Sequence, residues 1–191
     1  MSIADDEFNK QVEPIIADGY VLNPPAFERI RYWTFVLFQL HFAISELEKL
    51  INDTPQVYDV NNSYNQHARF IAIIVTYARC FAQAGANIKS LNAKELFKGE
   101  PRFKTIHDRM IEIRNGVVAH TGHHELMRVS IAVKETDNEF MIKHFIHPIF
   151  PKAEFAGYLA TMNHTVVGVE IAINKQLNHL EAQLGKPISV P

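Results

Sequence analysis

The sequence predicts an all-α fold, an antiparallel bundle of four or five helices with a small β-hairpin inserted before a long C-terminal helix. Three observations predict it. Apolar residues recur at steps of three and four positions over most of the chain, which is the period of an amphipathic helix. The connections between these segments are short, which favours antiparallel neighbours. One stretch, residues 127–146, changes to the two-residue alternation of β-strands.

The size and composition are those of one soluble globular domain. The chain has 191 residues, of which 47% are hydrophobic and 21% charged. We expect an N-terminal arm at residues 1–24, a helical domain at 25–185 and a tail at 186–191. A net charge of −2 argues against a broad basic surface for coating nucleic acid. A single cysteine excludes an intrachain disulfide and a cysteine-rich zinc module.

No targeting or membrane segment is apparent. The N-terminal residues are acidic and polar, without the basic and apolar regions of a secretory signal. The most apolar run, residues 70–81, has 12 residues and is too short to cross a bilayer. We therefore expect a cytoplasmic protein without a membrane partner.

Three helices are predicted before the hairpin. The first covers residues 25–52 and has a wide apolar arc, which indicates packing on two sides. The second covers about 63–91 and is apolar almost all round, as a central helix would be. The third covers about 101–119, with a stripe at Phe103, Ile106, Met110, Ile113 and Val117.

The hairpin and a last helix follow. Val129, Ile131 and Val133 alternate with smaller or polar residues, and residues 140–146 are again typical of a strand. The last helix is predicted over residues 152–184 from a near-heptad row of apolar positions. Gly185 is placed to end it. The row comprises Phe155, Leu159, Met162, Val166, Val169, Ile173, Leu177, Leu180 and Leu184.

The residues with the clearest chemical potential are Arg114, Asn115 and His120. A guanidinium presents a fork of donors that fits a phosphate, and an imidazole titrates near neutrality. Together they suit metal-independent RNA cleavage. His120 would act as general acid or base toward the ribose 2′-OH or the leaving 5′-oxygen. Arg114 would stabilise charge on the phosphorane, and Asn115 would orient either partner.

Structural alternatives exist for these residues and for their neighbours. Arg114 could pair with Asp108 or Glu112, and His120 could be a favourable cation at a helix C-terminus. The candidate substrate-binding residues are His107, Arg109 and His123. His107 shares the helix face of Arg114 because it lies seven positions earlier, although a structural histidine is the favoured interpretation. Arg109 lies off that face, where solvation is the favoured interpretation.

Other polar residues support less specific predictions. Several histidines cluster in the sequence, but they lack the regular spacing of zinc ligands, so no metal site and no cofactor are predicted. They are His120, His123, His124, His144 and His147. Arg79 interrupts the apolar second helix and, if buried, would need a carboxylate such as Glu46, Glu48 or Glu112. Cys80 is expected to be a small buried residue.

The segment R-N-G-V-V-A-H, residues 114–120, resembles the ribonuclease motif of the higher-eukaryote and prokaryote nucleotide-binding (HEPN) superfamily. That motif has an Arg, a polar residue directly after it, and a His beyond four to six intervening residues. The resemblance covers roughly residues 27–184 in architecture and 106–122 in motif. The hairpin is not part of the minimal family core, which leaves the subgroup open.

The resemblance implies a helical protein that forms a homodimer, with two Arg/His sets facing each other across a cleft. It implies an endoribonuclease in which Arg114, Asn115 and His120 are catalytic. Many members act as toxins or in phage defence, which implies an antitoxin or another regulatory protein as partner. Others have lost activity and bind RNA, nucleotides or proteins, and this is the alternative function. A third hypothesis is an unrelated all-α protein with an accidental Arg–His spacing.

Two structural features would separate these hypotheses. Cleavage needs Arg114 and His120 to converge on an open cleft, and a His120 that is buried and bonded to backbone carbonyls would exclude it. A cleft that is filled by the hairpin would favour the binding module.

Overall fold

The computed structural model describes residues 3–53, 59–82, 90–119 and 126–189, and most of these residues are helical. Within these ranges the chain forms six α-helices and one pair of strands. The elements are α1 (Ile3–Ala17), α2 (Glu28–Asn52), α3 (Val60–Arg79), α4 (Ala93–Leu96), α5 (Pro101–Ala119), β1 (Met127–Glu135), β2 (Phe140–Pro148) and α6 (Phe155–Leu184).

The long helices confirm most of the predicted element positions. A single 3₁₀ turn at Pro25–Phe27 leads into α2, where proline suits the first turn because it needs no N–H partner. The bounds of α5 agree with the predicted third helix. Gly185 ends α6 in the left-handed conformation at φ 66°, and its N–H bonds to the carbonyl of Glu181 at 2.9 Å.

The predicted end of the second helix is wrong, because α3 stops at Arg79 and not near Leu91. The N–H groups of Cys80, Phe81 and Ala82 each bond to a carbonyl three residues back, so the chain tightens into a turn there. Cys80 and Leu91 are buried although neither is helical. In the sequence, buried residues outside a helix produce the same apolar pattern as a longer helix, which explains the wrong prediction.

The packed helices enclose one hydrophobic core. α2 packs against α3 and α6, and α5 also packs against α3 and α6. Each of the four contributes side chains that are at most 1% exposed, and burial of such side chains is the main stabilising contribution. They include Leu40, Leu47, Phe70, Ile73, Tyr77, Met110, Ile113, Met162 and Val169. The predicted apolar row of α6 supplies two of them, Met162 and Val169, whereas Leu184 at its end is exposed.

The short helix α4 lies in the predicted loop between the second and third helices. The side-chain oxygen of Asn92 accepts hydrogen bonds from the N–H groups of Lys94 and Glu95, at 3.0 and 3.4 Å, and so begins the helix. Leu96 packs so closely against Gly168 of α6 that a Cβ there would lie 2.1 Å from the Leu96 Cδ1 atom. This contact fixes the position of the segment before α5.

The hairpin is antiparallel, with Val129 opposite Ile146 and Ile131 opposite His144. Its residues are almost all exposed, apart from Met127 and Pro148 at its base. One face is largely apolar and carries Val129, Ile131, Val133, Phe140, Ile142 and Ile146, with Glu135 and His144 among them. The helix α1 is also exposed, and its Phe8, Ile15 and Ile16 are turned toward solvent.

Among the residues that the structure describes, no helix combines the length and the apolar character needed to cross a lipid bilayer.

Candidate functional site

A groove of about 520 Å³ lies between the C-terminal end of α3, residues 90–93 and α5. Arg79, Arg114 and Asn115 supply charged and polar groups to its lining, while Phe81, Leu91 and Ile111 supply apolar ones. This volume is within the usual range for a small-molecule site. The groove therefore contains two of the three residues for which the sequence predicted catalysis.

Arg114 and Asn115 are both exposed and are joined by a hydrogen bond. Arg114 donates from Nη1 to Oδ1 of Asn115 at 3.0 Å. Because a guanidinium has five N–H donors in a planar fork, this bond leaves most of the fork available. Asn115 therefore orients the Arg114 side chain.

The alternative surface ion pairs of Arg114 are not formed. Asp108 instead accepts from Lys104 at 2.6 Å, and Glu112 accepts from Arg109 at 3.1 Å. Within the described part of the chain, Asn115 is the partner of the Arg114 guanidinium, and no carboxylate lies within ion-pair distance of it. The charge of Arg114 is therefore not neutralised by Asp108 or Glu112.

Arg79 is the last residue of α3 and is exposed, so the premise that it needs a buried carboxylate does not hold. Of its proposed partners, Glu46 pairs with Lys49 at 2.6 Å and with Arg69 at 3.3 Å, and Glu112 pairs with Arg109. No carboxylate of the described ranges pairs with Arg79. Arg79 instead shares the groove with Arg114.

His107 is among the residues that line the groove and is only 5% exposed. Its Nδ1 shares a hydrogen bond with the hydroxyl of Tyr77 at 2.9 Å, and its ring lies 4.4 Å from that of Phe81 and 5.2 Å from that of Phe97. Burial lowers the pKa of His107 to about 4. The imidazole is therefore uncharged at neutral pH and supports the groove wall, whereas a phosphate-binding role would favour a cation.

The depressed pKa of His107 gives a testable dependence of stability on pH. Above pH 6.5 the histidine is neutral in both the folded and the unfolded chain. Between pH 6.5 and about 4 only the unfolded chain takes up the proton, so the free energy of unfolding falls as the pH falls, by about 3 kcal/mol in all. Denaturant unfolding at several pH values measures this loss.

The control for this prediction is His107→Phe, which cannot take up a proton. Other groups also contribute to acid unfolding, so the difference in slope between the two proteins isolates the contribution of His107. We expect the variant to lose less stability over this pH range. The same slope in both proteins would contradict the assignment.

Arg109 lies outside the groove lining and joins two helices. Its Nε donates to Glu154 at 3.2 Å and its Nη1 donates to Glu112 at 3.1 Å. Tyr158 donates to the same Glu154 oxygen at 2.5 Å, and burial raises the pKa of Tyr158. The predicted substrate-binding role of Arg109 thus receives no support from its position, since its guanidinium is held by two carboxylates.

His120 and His123, the remaining predicted site residues, lie outside the described residues. The helix α5 ends at Ala119, the residue before His120. Ala119 lies about 7.5 Å beyond Arg114 along the helix axis, at 1.5 Å per residue. The described part of α5 therefore ends less than two helical turns beyond the Arg114–Asn115 pair.

The hairpin does not fill the groove, because none of residues 127–148 lines it. In the antiparallel register His144 lies opposite Ile131 and His147 opposite Arg128, so the two histidines are on opposite faces of the hairpin. In the ranges that the structure describes, no three His, Cys, Asp or Glu residues are grouped as metal ligands would be.

Cys80 is 2% exposed, as expected for a small buried residue, and burial raises the pKa of its thiol to about 12. A protonated, buried thiol is not a nucleophile. Cys80 therefore has no direct chemical role in the neighbouring groove.

Sequence reasoning missed the contributions of Arg79, Phe81 and Asn92 to this groove. The local signal was an arginine inside an apolar run, two positions before Phe81, and it did not indicate contact with α5. Comparison of the chain with protein-family models, with curated proteins and with solved structures finds no match.

Proposed function

We propose that the chain is a metal-independent endoribonuclease of the HEPN type, with Arg114, Asn115 and His120 as its catalytic residues. The observation that carries this proposal is the Arg114 guanidinium. It is exposed in a groove, oriented by Asn115 and unpaired with any described carboxylate. An unneutralised, oriented guanidinium at this place fits a phosphodiester better than it fits a structural ion pair.

The reaction would use the ribose 2′-OH as the internal nucleophile. The 2′-oxygen forms a bond to phosphorus as the 5′-oxygen leaves, which gives a 2′,3′-cyclic phosphate and a 5′-hydroxyl. His120 would take the proton from the 2′-OH or give one to the 5′-oxygen. Arg114 would stabilise the negative charge that develops on the phosphorane oxygens. Each proton lost by the nucleophile is matched by one gained by the leaving group.

A second copy of the chain would complete such a site, since one histidine per chain supplies either the base or the acid. The surface of α2 offers an apolar face for a homodimer at Phe35, Phe38 and Phe42, which are 51%, 64% and 47% exposed. Single exposed apolar residues are common on monomers, whereas three on one helix face favour association. A toxin or phage-defence role, with an antitoxin or another regulatory partner, follows from the family resemblance.

The alternative is a catalytically silent module that binds RNA, a nucleotide or a protein in the same groove. The observation that favours it is the apolar wall of Phe81, Leu91 and Ile111, which can hold a ligand without any chemistry. The uncharged His107 in the lining of the groove also fits this role.

Incubation of the purified protein with a mixed panel of RNAs in EDTA tests the proposal. We expect cleavage that persists in the chelator and products with 2′,3′-cyclic phosphate ends. Absence of cleavage by the folded, dimeric protein would contradict the ribonuclease proposal and favour the binding module.

A further inference from the structure

Arg79 and Arg114 come from two different helices and line one groove. Neither pairs with a carboxylate of the described residues, and none of the described residues that line the groove is acidic. Two guanidinium groups in one groove repel each other, and a shared anion removes that repulsion. This local excess of positive charge contrasts with the net charge of −2 of the whole chain.

The apolar lining of the groove has a different character. Phe81 is half-buried, with its ring held by Phe97 and His107, so its exposed part is fixed in position. Leu91 and Ile111 continue this apolar surface. A rigid aromatic and aliphatic wall beside a cationic rim is the arrangement that receives an unpaired base and its phosphate.

Asn92 adds a specific polar group. Its side-chain oxygen is used by the N–H groups of Lys94 and Glu95, which fixes the orientation of the amide. The amide NH₂ is left with two donors, which can reach an acceptor on a ligand in the groove. A carbonyl or ring nitrogen at the edge of a base is such an acceptor.

We propose that this groove binds one unpaired nucleotide of single-stranded RNA, with its phosphate between Arg79 and Arg114 and its base against Phe81. Arg79 is then a substrate-binding residue outside the Arg–His motif. A base within a duplex is stacked and paired, so it cannot reach the wall. The inference rests on the proposed action on RNA for the identity of its ligand, and it adds a preference for single strands.

A binding assay that excludes cleavage tests the inference. The probe is a fluorescent oligoribonucleotide with 2′-O-methyl groups, either single-stranded or folded into a hairpin duplex of the same composition, and anisotropy reports its affinity. We expect wild type to bind the single strand at least tenfold more tightly than the duplex. Arg79→Ala should weaken binding of the single strand about tenfold, as loss of one charge-assisted contact does.

The salt dependence and a matched control identify the contact. Arg79→Ala should reduce the slope of log affinity against log salt concentration by about 0.7, the value for one phosphate contact to a single strand. Arg102→Ala removes an exposed arginine of α5 that does not line the groove, and it should change neither quantity. Arg79→Lys keeps the charge but not the fork, so its affinity should be intermediate.

Arg79 also ends α3, where a cation interacts favourably with the helix dipole. Thermal unfolding of each variant distinguishes this stabilising role from phosphate binding. If Arg79 only stabilises the end of α3, Arg79→Ala has a lower melting temperature but an unchanged affinity and salt slope. That result would overturn the inference, and so would equal affinity for single strand and duplex. If wild type cleaves RNA and Arg79→Ala binds the probe as tightly as wild type, only the substrate-binding role of Arg79 is refuted. If binding depends on Arg79 but natural RNA is not cleaved, only the proposed ribonuclease activity is refuted.

Discussion

His120→Ala is expected to lower the rate of RNA cleavage by about 10²–10⁴-fold, the usual contribution of a positioned general acid or base. The affinity for RNA should change little, because the proposed phosphate contacts come from the arginines of the groove. The measurement is single-turnover cleavage beside anisotropy with an uncleavable oligonucleotide.

The control for this prediction is His179→Ala, which removes an exposed histidine of α6 that does not line the groove. It should cleave as wild type does. A His120→Ala protein that melts like wild type and retains full activity would contradict the acid–base role of His120.

Arg114→Ala should lower the cleavage rate by about 10²–10³-fold, which is the effect of removing one donor that stabilises a transition state. The fork of Arg114 is held by Asn115 at 3.0 Å, so its donors are already directed before substrate binds. Arg114→Lys keeps the charge but presents no planar fork, so it should recover only part of the rate.

Asn115→Ala separates orientation from charge, because it removes the hydrogen bond and leaves the guanidinium in place. We expect a smaller loss than for Arg114→Ala, and no further loss when the two substitutions are combined. Additive losses would mean that Asn115 acts independently of Arg114. Full activity of Arg114→Ala would remove the basis of the proposed mechanism.

The periodic parts of the fold were predictable from the sequence. The bounds of α5 and the positions of both strands follow from their apolar periods, and Gly185 ends α6 because glycine accepts a positive φ readily. The end of α3 was not predictable. An apolar run that continues past Arg79 contains no sign of where the helix stops, since Cys80 and Leu91 are buried outside it.

Of the residues that line the groove, only those on α5 were predictable from the sequence. The period of α5 places His107 and Arg114 on one face, and both line the groove. The depth of His107 could not be inferred, because it depends on Phe81 and Phe97, which approach from other segments. Arg79 could not be assigned to the site for the same reason, since contacts between distant segments leave no local spacing to recognise.

The role of the 2′-OH as nucleophile is tested most directly with an RNA oligonucleotide that wild type cleaves at one position. A single 2′-deoxy substitution is placed on the 5′ side of that bond. Because the proposed nucleophile is the 2′-OH itself, we expect cleavage at this bond to stop, while the substituted oligonucleotide still binds and the unmodified oligonucleotide is still cleaved. Unchanged cleavage of the substituted bond would contradict the mechanism, because a water molecule or another group would then be the nucleophile.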